Sequence, residues 1–375
     1  MLNQLKKYRR DLHQIPEIAN QEFKTKTYIL KVLEKYQCEI TEIGDTAICA
    51  YFKASAQDSK QTPCKTIALR CDMDALPVQE TKDTTYCSCH SGFMHACGHD
   101  GHMAMLLGAA SKLHENLSRL TYNVLLIFQP AEESVGGAEA ICQSGVLSKY
   151  QVAEIYGIHL WPSIEKHGIA SKEKELMSHA NEVTVNIYGK GAHCADPDKG
   201  IDALLIAINL LQDYYTMESN ELPQNEPRLL RFGKLTSGTA PNVIADKAFL
   251  KGTLRCFNEE TFNFITKRMK EIASTYEKDF DCKIEISFTK GYPTVYNDPA
   301  LFSKVKSKLR DFNFITLGKP SMLSEDFSFY QQEVPGVYLF LGTGTDIPLH
   351  NSKFDFDEAV LETGVNLYLR LLDLA

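Results

Sequence analysis

Apolar and polar positions follow two different rhythms along this chain. Between Gln21 and Tyr36, the residues Phe23, Tyr28, Ile29, Val32 and Leu33 recur at helical spacing, which predicts an amphipathic helix. Four short apolar runs break off abruptly at polar or Gly/Pro residues: Thr66–Arg70, Asn123–Phe128, Glu154–Ile158 and Gly336–Leu341. They do not alternate, and helical patterns such as Met103–His114 separate them. Such runs read as central strands of a sheet covered on both faces, and so as an α/β layer.

From about His179 to Phe288 the pattern changes. Glu182–Tyr188 alternates as a half-exposed strand does, and Asp202–Tyr215 is an apolar-rich helix with Asp202 near its start. Arg228–Phe232 and Ala248–Phe257 are strand-like, Glu259–Tyr276 is helical, and Lys283–Phe288 alternates again. The order β-α-β-β-α-β is that of a ferredoxin-like unit. An α/β pattern resumes after Pro293. The expected organisation is an α/β domain with a mixed central sheet, formed by residues 1–178 and 290–375, carrying an inserted α+β domain at 179–289.

Composition narrows the function more than the fold. A length of 375 residues suits two or three domains, and 44% apolar with 23% charged residues is ordinary for a globular protein. The formal charge is −8 with no basic stretch, so neither nucleic acid nor an anionic membrane surface is an expected partner. Apolar runs such as Met103–Ala110 fall far short of the ~18–20 residues of a membrane span. Residues Met1–Arg10 lack an apolar segment after their positive charges, so no secretory signal is expected and the cytoplasm is the expected location. Eleven cysteines in such a chain read as reduced thiols, some of them available to metals.

Candidate chemistry concentrates in His95-Ala96-Cys97-Gly98-His99-Asp100-Gly101-His102. Thiolate and imidazole suit zinc and its first-row neighbours, and the glycines at 98 and 101 let nearby side chains converge. Other donors follow the buried strands. Asn123–Phe128 leads to Glu132 and Glu133, Ile155–Ile158 to His159, Val337–Leu341 to His350, and Thr66–Arg70 to Asp72 and Asp74. The carboxyl ends of strands are where open α/β sheets bind ligands. Each residue taken singly has a plainer reading, a solvated loop for Glu132-Glu133 and a satisfied core histidine for His159. Together, Cys97, His99, Glu133, His159 and His350 offer five ligands, more than one catalytic zinc takes while keeping an open position. Two divalent ions sharing a bridging group account for them better. Glu133 would then point at a metal and Glu132 would serve as general base, with Asp74 anchoring a ligand region. A metal-activated hydroxide beside a carboxylate base is equipment for hydrolysing an amide or ester. The competing class is a binding protein stapled by a structural zinc, which has no use for Glu132.

Eight segments, in order, resemble the two-metal metallopeptidase family of the aminoacylases and carboxypeptidase G type enzymes, and within it the amidohydrolase branch. They are Arg9–Glu17, Arg70–Pro77, His95–His102, Phe128–Glu133, Gly157–His159, Gly189–His193, Gly238–Ile244 and Leu349–Asn351. The resemblance spans essentially the whole chain. It implies a zinc-peptidase-like catalytic domain with a lid and dimerisation domain inserted, and two divalent ions held by the same five ligands, a donor set that accommodates Zn, Mn, Co or Ni. It implies Glu132 as proton shuttle and Asp74 as supporting carboxylate. It also implies His193 as an oxyanion donor acting across a homodimer, with Asn242 and Arg255 near the substrate. The implied reaction cleaves an N-acyl amino acid to a carboxylate and a free amino acid, a dipeptidase or carboxypeptidase being the alternative within the family. Asp196-Pro197-Asp198 departs from the usual stretch after the lid histidine. It is either a solvated loop or a pair of carboxylates for a substrate with a spare ammonium, such as N-acetyl-diaminopimelate. Cys87-Ser88-Cys89-His90 is also unusual and reads as a polar loop rather than a second zinc site.

Overall fold

A computed structural model describes residues 1–54, 65–134 and 136–374. The chain divides into two compact units. One comprises Met1–Leu176, Val295–Pro320 and Asp326–Ala375, the other Met177–Thr294 and Ser321–Glu325.

The elements up to the first crossing are α1 (Leu2–His13), α2 (Phe23–Leu33), β1 (Glu39–Ile43), β2 (Ala47–Phe52), β3 (Thr66–Asp72), α3 (His99–Glu115) and β4 (Asn123–Gln129). Then come α4 (Gly137–Gln143), α5 (Val146–Lys149), β5 (Val152–Trp161), β6 (Ile169–Ser171) and β7 (Lys174–Met177). The second unit contains β8 (His179–Tyr188), α6 (Ala203–Asn220), β9 (Leu229–Ser237), β10 (Lys247–Cys256), α7 (Glu259–Phe280) and β11 (Lys283–Phe288). The chain ends with β12 (Val295–Asn297), α8 (Pro299–Lys308), β13 (Phe314–Thr316), α9 (Ser328–Glu333), β14 (Gly336–Gly342) and α10 (Val360–Leu371).

The first unit is built on one mixed sheet in the order β1-β2-β4-β3-β5-β14-β6-β13. Its centre is parallel, β4 with β3, β3 with β5 and β5 with β14, while β1 and β2 add antiparallel at one side. Every residue of β3, β4 and β14 is buried, so the non-alternating runs in the sequence are strands covered on both faces. Each Leu, Ile, Val or Phe so buried contributes roughly 1.5–3 kcal/mol. Val124, Leu126, Phe128, Leu339 and Leu341 join a core with α3 residues Met103, Leu106 and Leu107 and α10 residues Leu361 and Val365. The parallel centre brings the carboxyl ends of β3, β4, β5 and β14 to one edge of the sheet.

The second unit is a four-stranded antiparallel sheet in the order β11-β8-β10-β9, the strand order of a ferredoxin-like unit. Helices α6 and α7 add Ile206, Leu210, Tyr214, Ile265 and Met269 to its core. Asp202 accepts from the backbone N–H groups of Leu204 and Leu205, and Asn258 from that of Thr261. Each is a side-chain helix cap, worth about 1 kcal/mol. All ten described cysteines are free thiols; Cys64 lies outside the described residues. No helix among the described residues is long and apolar enough to cross a membrane.

Candidate metal centre

Strand β3 ends at Asp72, and Asp74 follows it. The two alternate residues at this strand end bind different partners. Asp72 accepts from His102 Nδ1 at 2.6 Å and from Arg70 at 2.8 Å. The Asp74 carboxylate instead takes the backbone N–H groups of Glu132 and Glu133, at 3.1 and 3.0 Å. One carboxylate therefore fixes the backbone of both glutamates that follow β4.

Helix α3 begins inside the Cys/His cluster rather than after it. Gly98 sits at φ +87° just before the first helical residue, a conformation that glycine adopts without penalty. Gly101 serves close packing rather than bending. A Cβ there would lie 2.7 Å from Leu160 and 2.8 Å from Phe356. That approach lets His102 Nε2 accept from the Leu160 N–H at 2.9 Å.

Ring hydrogen bonds sort the buried histidines. His99 Nδ1 donates to the Asp74 carbonyl at 2.8 Å, leaving Nε2 buried and without a hydrogen-bond partner. His159 Nδ1 donates to the Leu160 carbonyl at 2.7 Å, and its Nε2 faces Cys97 Sγ at 3.5 Å. A metal-bound histidine has this arrangement, one nitrogen tied to a carbonyl and the other directed at the ion. His102 has both nitrogens engaged, so it orients Asp72 and β5. His159 lies within β5 rather than beyond its end, because that strand runs to Trp161.

Cys97 Sγ, His99 Nε2 and a Glu133 oxygen lie within 4.8 Å of one another. Glu133 Oε1 is likewise buried without a hydrogen bond, 3.8 Å from His99 Nε2 and 3.2 Å from His350 Nε2. His350 comes from the loop after β14, has φ +64°, and is anchored by its N–H to the Ala96 carbonyl at 2.8 Å. Its side chain stays half exposed. A His99 nitrogen without a partner, facing a buried Glu133 oxygen shared with His350 beside a thiol, fits a soft or borderline divalent ion.

Electrostatics point the same way. Burial, with Glu133 and Glu132 close by, pushes the Cys97 thiol well above its usual value, so only a cation would keep it a thiolate. Burial works against a charged His99, but Asp72, Asp74 and Glu133 prevail and raise it to about 10. Burial and neighbouring His102 push His159 well down, leaving it neutral and able to ligate. Asp72 stays ionised despite burial because His99, His102 and Arg70 hold its carboxyl well below the usual range. The cluster is short of positive charge, which divalent ions would supply.

A tier behind these residues carries no role in the sequence reading. Buried Arg70 bonds Asp72, Gln129 and Asp326, and Asp326 also accepts from Gln129 and the Ala138 N–H. His102 was findable, since three residues after His99 on a helix is the same face. Asp326 follows no motif. Trp161 closes the end of β5, its ring 5.7 Å from that of His159 and tilted over Phe340 at 4.2 Å.

His193, Asn242 and Arg255 belong to the second unit. His193 forms an isolated antiparallel bridge with Val243, and the Cys194 N–H donates to the Asn242 carbonyl at 3.1 Å, so His193 and Asn242 are neighbours. Both are exposed. The Ala195 N–H donates to His193 Nδ1 at 3.1 Å, which places the proton of the neutral ring on Nε2. Arg255, on β10, is half-buried and donates to the Met322 carbonyl. Asp196 pairs with Lys199 at 3.1 Å. Cys87 contacts Thr84 and the Lys82 carbonyl, and His90 bonds the Pro16 carbonyl; among the described residues neither joins a metal-like cluster.

Residues 68–374 match peptidase family M20/M25/M40. The chain belongs to that family. The N-acetyldiaminopimelate deacetylase of Bacillus velezensis is 35% identical over 361 residues, covering 96% of this chain and 95% of that one. The enzyme of the same name from Streptococcus uberis is 36% identical, with 94% of each covered. Among solved structures, Bacillus subtilis YXEP, a dinuclear metal-binding peptidase of the M20 family, superposes with a TM-score of 0.86 at 29% identity. The match covers 99% of this chain and 97% of that one. This M20 protein is a metal-dependent hydrolase acting on amide bonds, with the family's α/β fold.

Proposed function

We propose that the protein removes the acyl group of an N-acyl amino acid, with N-acetyldiaminopimelate as substrate, and that Cys97, His99, Glu133, His159 and His350 hold two divalent ions. The convergence of Cys97 Sγ, His99 Nε2 and Glu133 Oε1, the last two buried without a hydrogen bond, carries this reading. The two deacetylase relatives support the substrate, and the dinuclear relative supports two ions. Zn, Mn, Co and Ni all accept this donor set.

Bound ions would polarise the amide carbonyl and make water acidic enough to attack at neutral pH. Glu132, with its backbone fixed by Asp74, takes the proton from the attacking water and delivers it to the departing amine. The C–N bond breaks, giving acetate and the free amino group. His193 Nε2–H stabilises the developing oxyanion, and Asn242 and Arg255 bind the substrate's polar end.

Leu204, Leu205 and Ile208 expose 40–51% of their surface on one stretch of α6, which favours a homodimer through the second unit. We place the activity in the cytoplasm, where the ten described cysteines, all free, would stay reduced.

The test is a panel of N-acetyl, N-benzoyl and N-succinyl amino acids, N-acetyldiaminopimelate and dipeptides, assayed with each metal in turn. Selective release of acetate from N-acetyldiaminopimelate is expected. Preference for dipeptides would overturn the substrate, and full activity after complete chelation would overturn the mechanism.

A further inference from the structure

Ala131, immediately before the two glutamates, has φ +59°, a left-handed conformation that costs a residue bearing a Cβ. It persists because both its backbone groups are held. Its carbonyl accepts from the Gly136 and Gly137 N–H groups at 3.0 and 3.3 Å, and its own N–H donates to Glu22 Oε1 at 3.0 Å. The next two N–H groups go to Asp74. Three successive amides of the loop therefore each end on a carboxylate oxygen, two from Asp74 and one from Glu22.

Glu22 does not serve its own helix. It stands just before α2, yet its side chain makes no capping bond there. It reaches instead to Ala131, 109 residues away in sequence, and to the Asn20 N–H at 3.0 Å. The carboxyl is completely buried, and Oε2 has no hydrogen-bond partner. Burial, aided by Asp74, pushes it up to about 7. A buried carboxyl with an unpaired oxygen is costly, and the bond it makes beyond its own segment is the one to Ala131.

We infer that Glu22 is a positioning residue of the hydrolytic site: by fixing Ala131 in its left-handed conformation it aims Glu132 and Glu133. This rests on the reading that Glu132 moves the proton and Glu133 binds metal.

The experiment uses the full-length, metal-loaded enzyme, assayed well below its unfolding temperature. Glu22→Ala should lower kcat about 10- to 100-fold and weaken metal retention in dialysis, with KM little changed. Glu22→Gln, whose amide oxygen can still accept from Ala131, should recover most of the rate. Adding Ala131→Gly to Glu22→Ala should recover part of it, because glycine reaches the left-handed region unaided. Wild-type kcat and metal retention in Glu22→Ala would overturn the inference. So would a loss that neither Gln nor the Ala131→Gly change relieves, since that pattern marks general destabilisation. If Glu22→Ala does not fold, Glu22→Asp keeps the charge but shortens the reach, and an unimpaired Glu22→Asp would be equally fatal. Glu132→Gln is assayed alongside. Activity surviving there would remove the proton-transfer reading, while metal retention in the Glu22 variants would still decide whether Glu22 positions Glu133.

Discussion

His99 and His193 are proposed to act on the same substrate, but their surroundings differ at every level. His99 is buried at the first turn of α3, with one nitrogen on the Asp74 carbonyl and the other aimed at Glu133. Behind it stand Asp72, His102, Arg70 and Asp326 in one hydrogen-bonded chain. His193 is exposed, on a loop bridged to Val243 and held by backbone bonds from Cys194 to the Asn242 carbonyl and from Ile244 to the Ala192 carbonyl, none of which involves the His193 side chain. In the first region each residue is over-determined by its neighbours, so changing one disturbs metal binding and stability together. In the second, little holds the side chain besides its own loop, so changes there should appear in kcat alone.

The sharpest way to break this contrast is Glu132→Gln. Its carboxylate should be needed for proton transfer but not for binding metal, so kcat should fall about 10³–10⁴-fold with metal content near wild type. Mass-spectrometric metal analysis beside initial rates checks it, and loss of the metals would reassign Glu132 as a ligand.

Next in size is His193→Ala, for which an oxyanion donor predicts a loss of about 10²–10³-fold in kcat with little change in KM or unfolding temperature. If the histidine acts across a dimer, mixing this variant with Glu132→Gln should restore part of the activity. No recovery after verified subunit exchange would place its action within one chain.

Asp72→Asn tests the buried side. It touches no substrate in this scheme, yet it should weaken metal affinity about 10- to 100-fold, because His102 and Arg70 lose the carboxylate they share. Competition with a chelator measures this, and wild-type affinity would show that the hydrogen-bonded chain is dispensable.

The smallest effect lies at Glu80. Burial would raise its carboxyl, but His13, the Ser88 N–H and Lys82 together lower it from 4.5 to about 2. An acid held below its ordinary value stabilises the fold above about pH 4.5, and that contribution disappears as pH falls toward 2. Glu80→Gln should therefore flatten the acid limb of a plot of unfolding temperature against pH, by up to about one proton. Parallel limbs would contradict it.

Local regularity decided what could be read from the sequence. The fully buried strands β3, β4 and β14 and the β8–β11 unit announce themselves through periodicity, which depends only on neighbours along the chain. The motif residues were legible because Cys, His and Glu in such density have few other uses. Asp326 and Glu22 were not legible. Each is an acid outside any motif, whose partners, Arg70 and Ala131, lie 256 and 109 residues away. The left-handed backbone at Ala131 was hidden as well, since alanine does not favour it. The start of α3 inside the cluster turns on Gly98, whose left-handed backbone stands immediately before the first helical residue.

The ring that closes β5 gives the protein an intrinsic optical probe. Trp161 is the only tryptophan in the chain, so all indole emission arises from one site, beside His159 and over Phe340. Any paramagnetic or heavy ion accepted by His159 would sit close enough to quench it, and zinc, closed-shell, would shift it instead. Unlabelled protein in a cuvette can thus distinguish one class of ion from another.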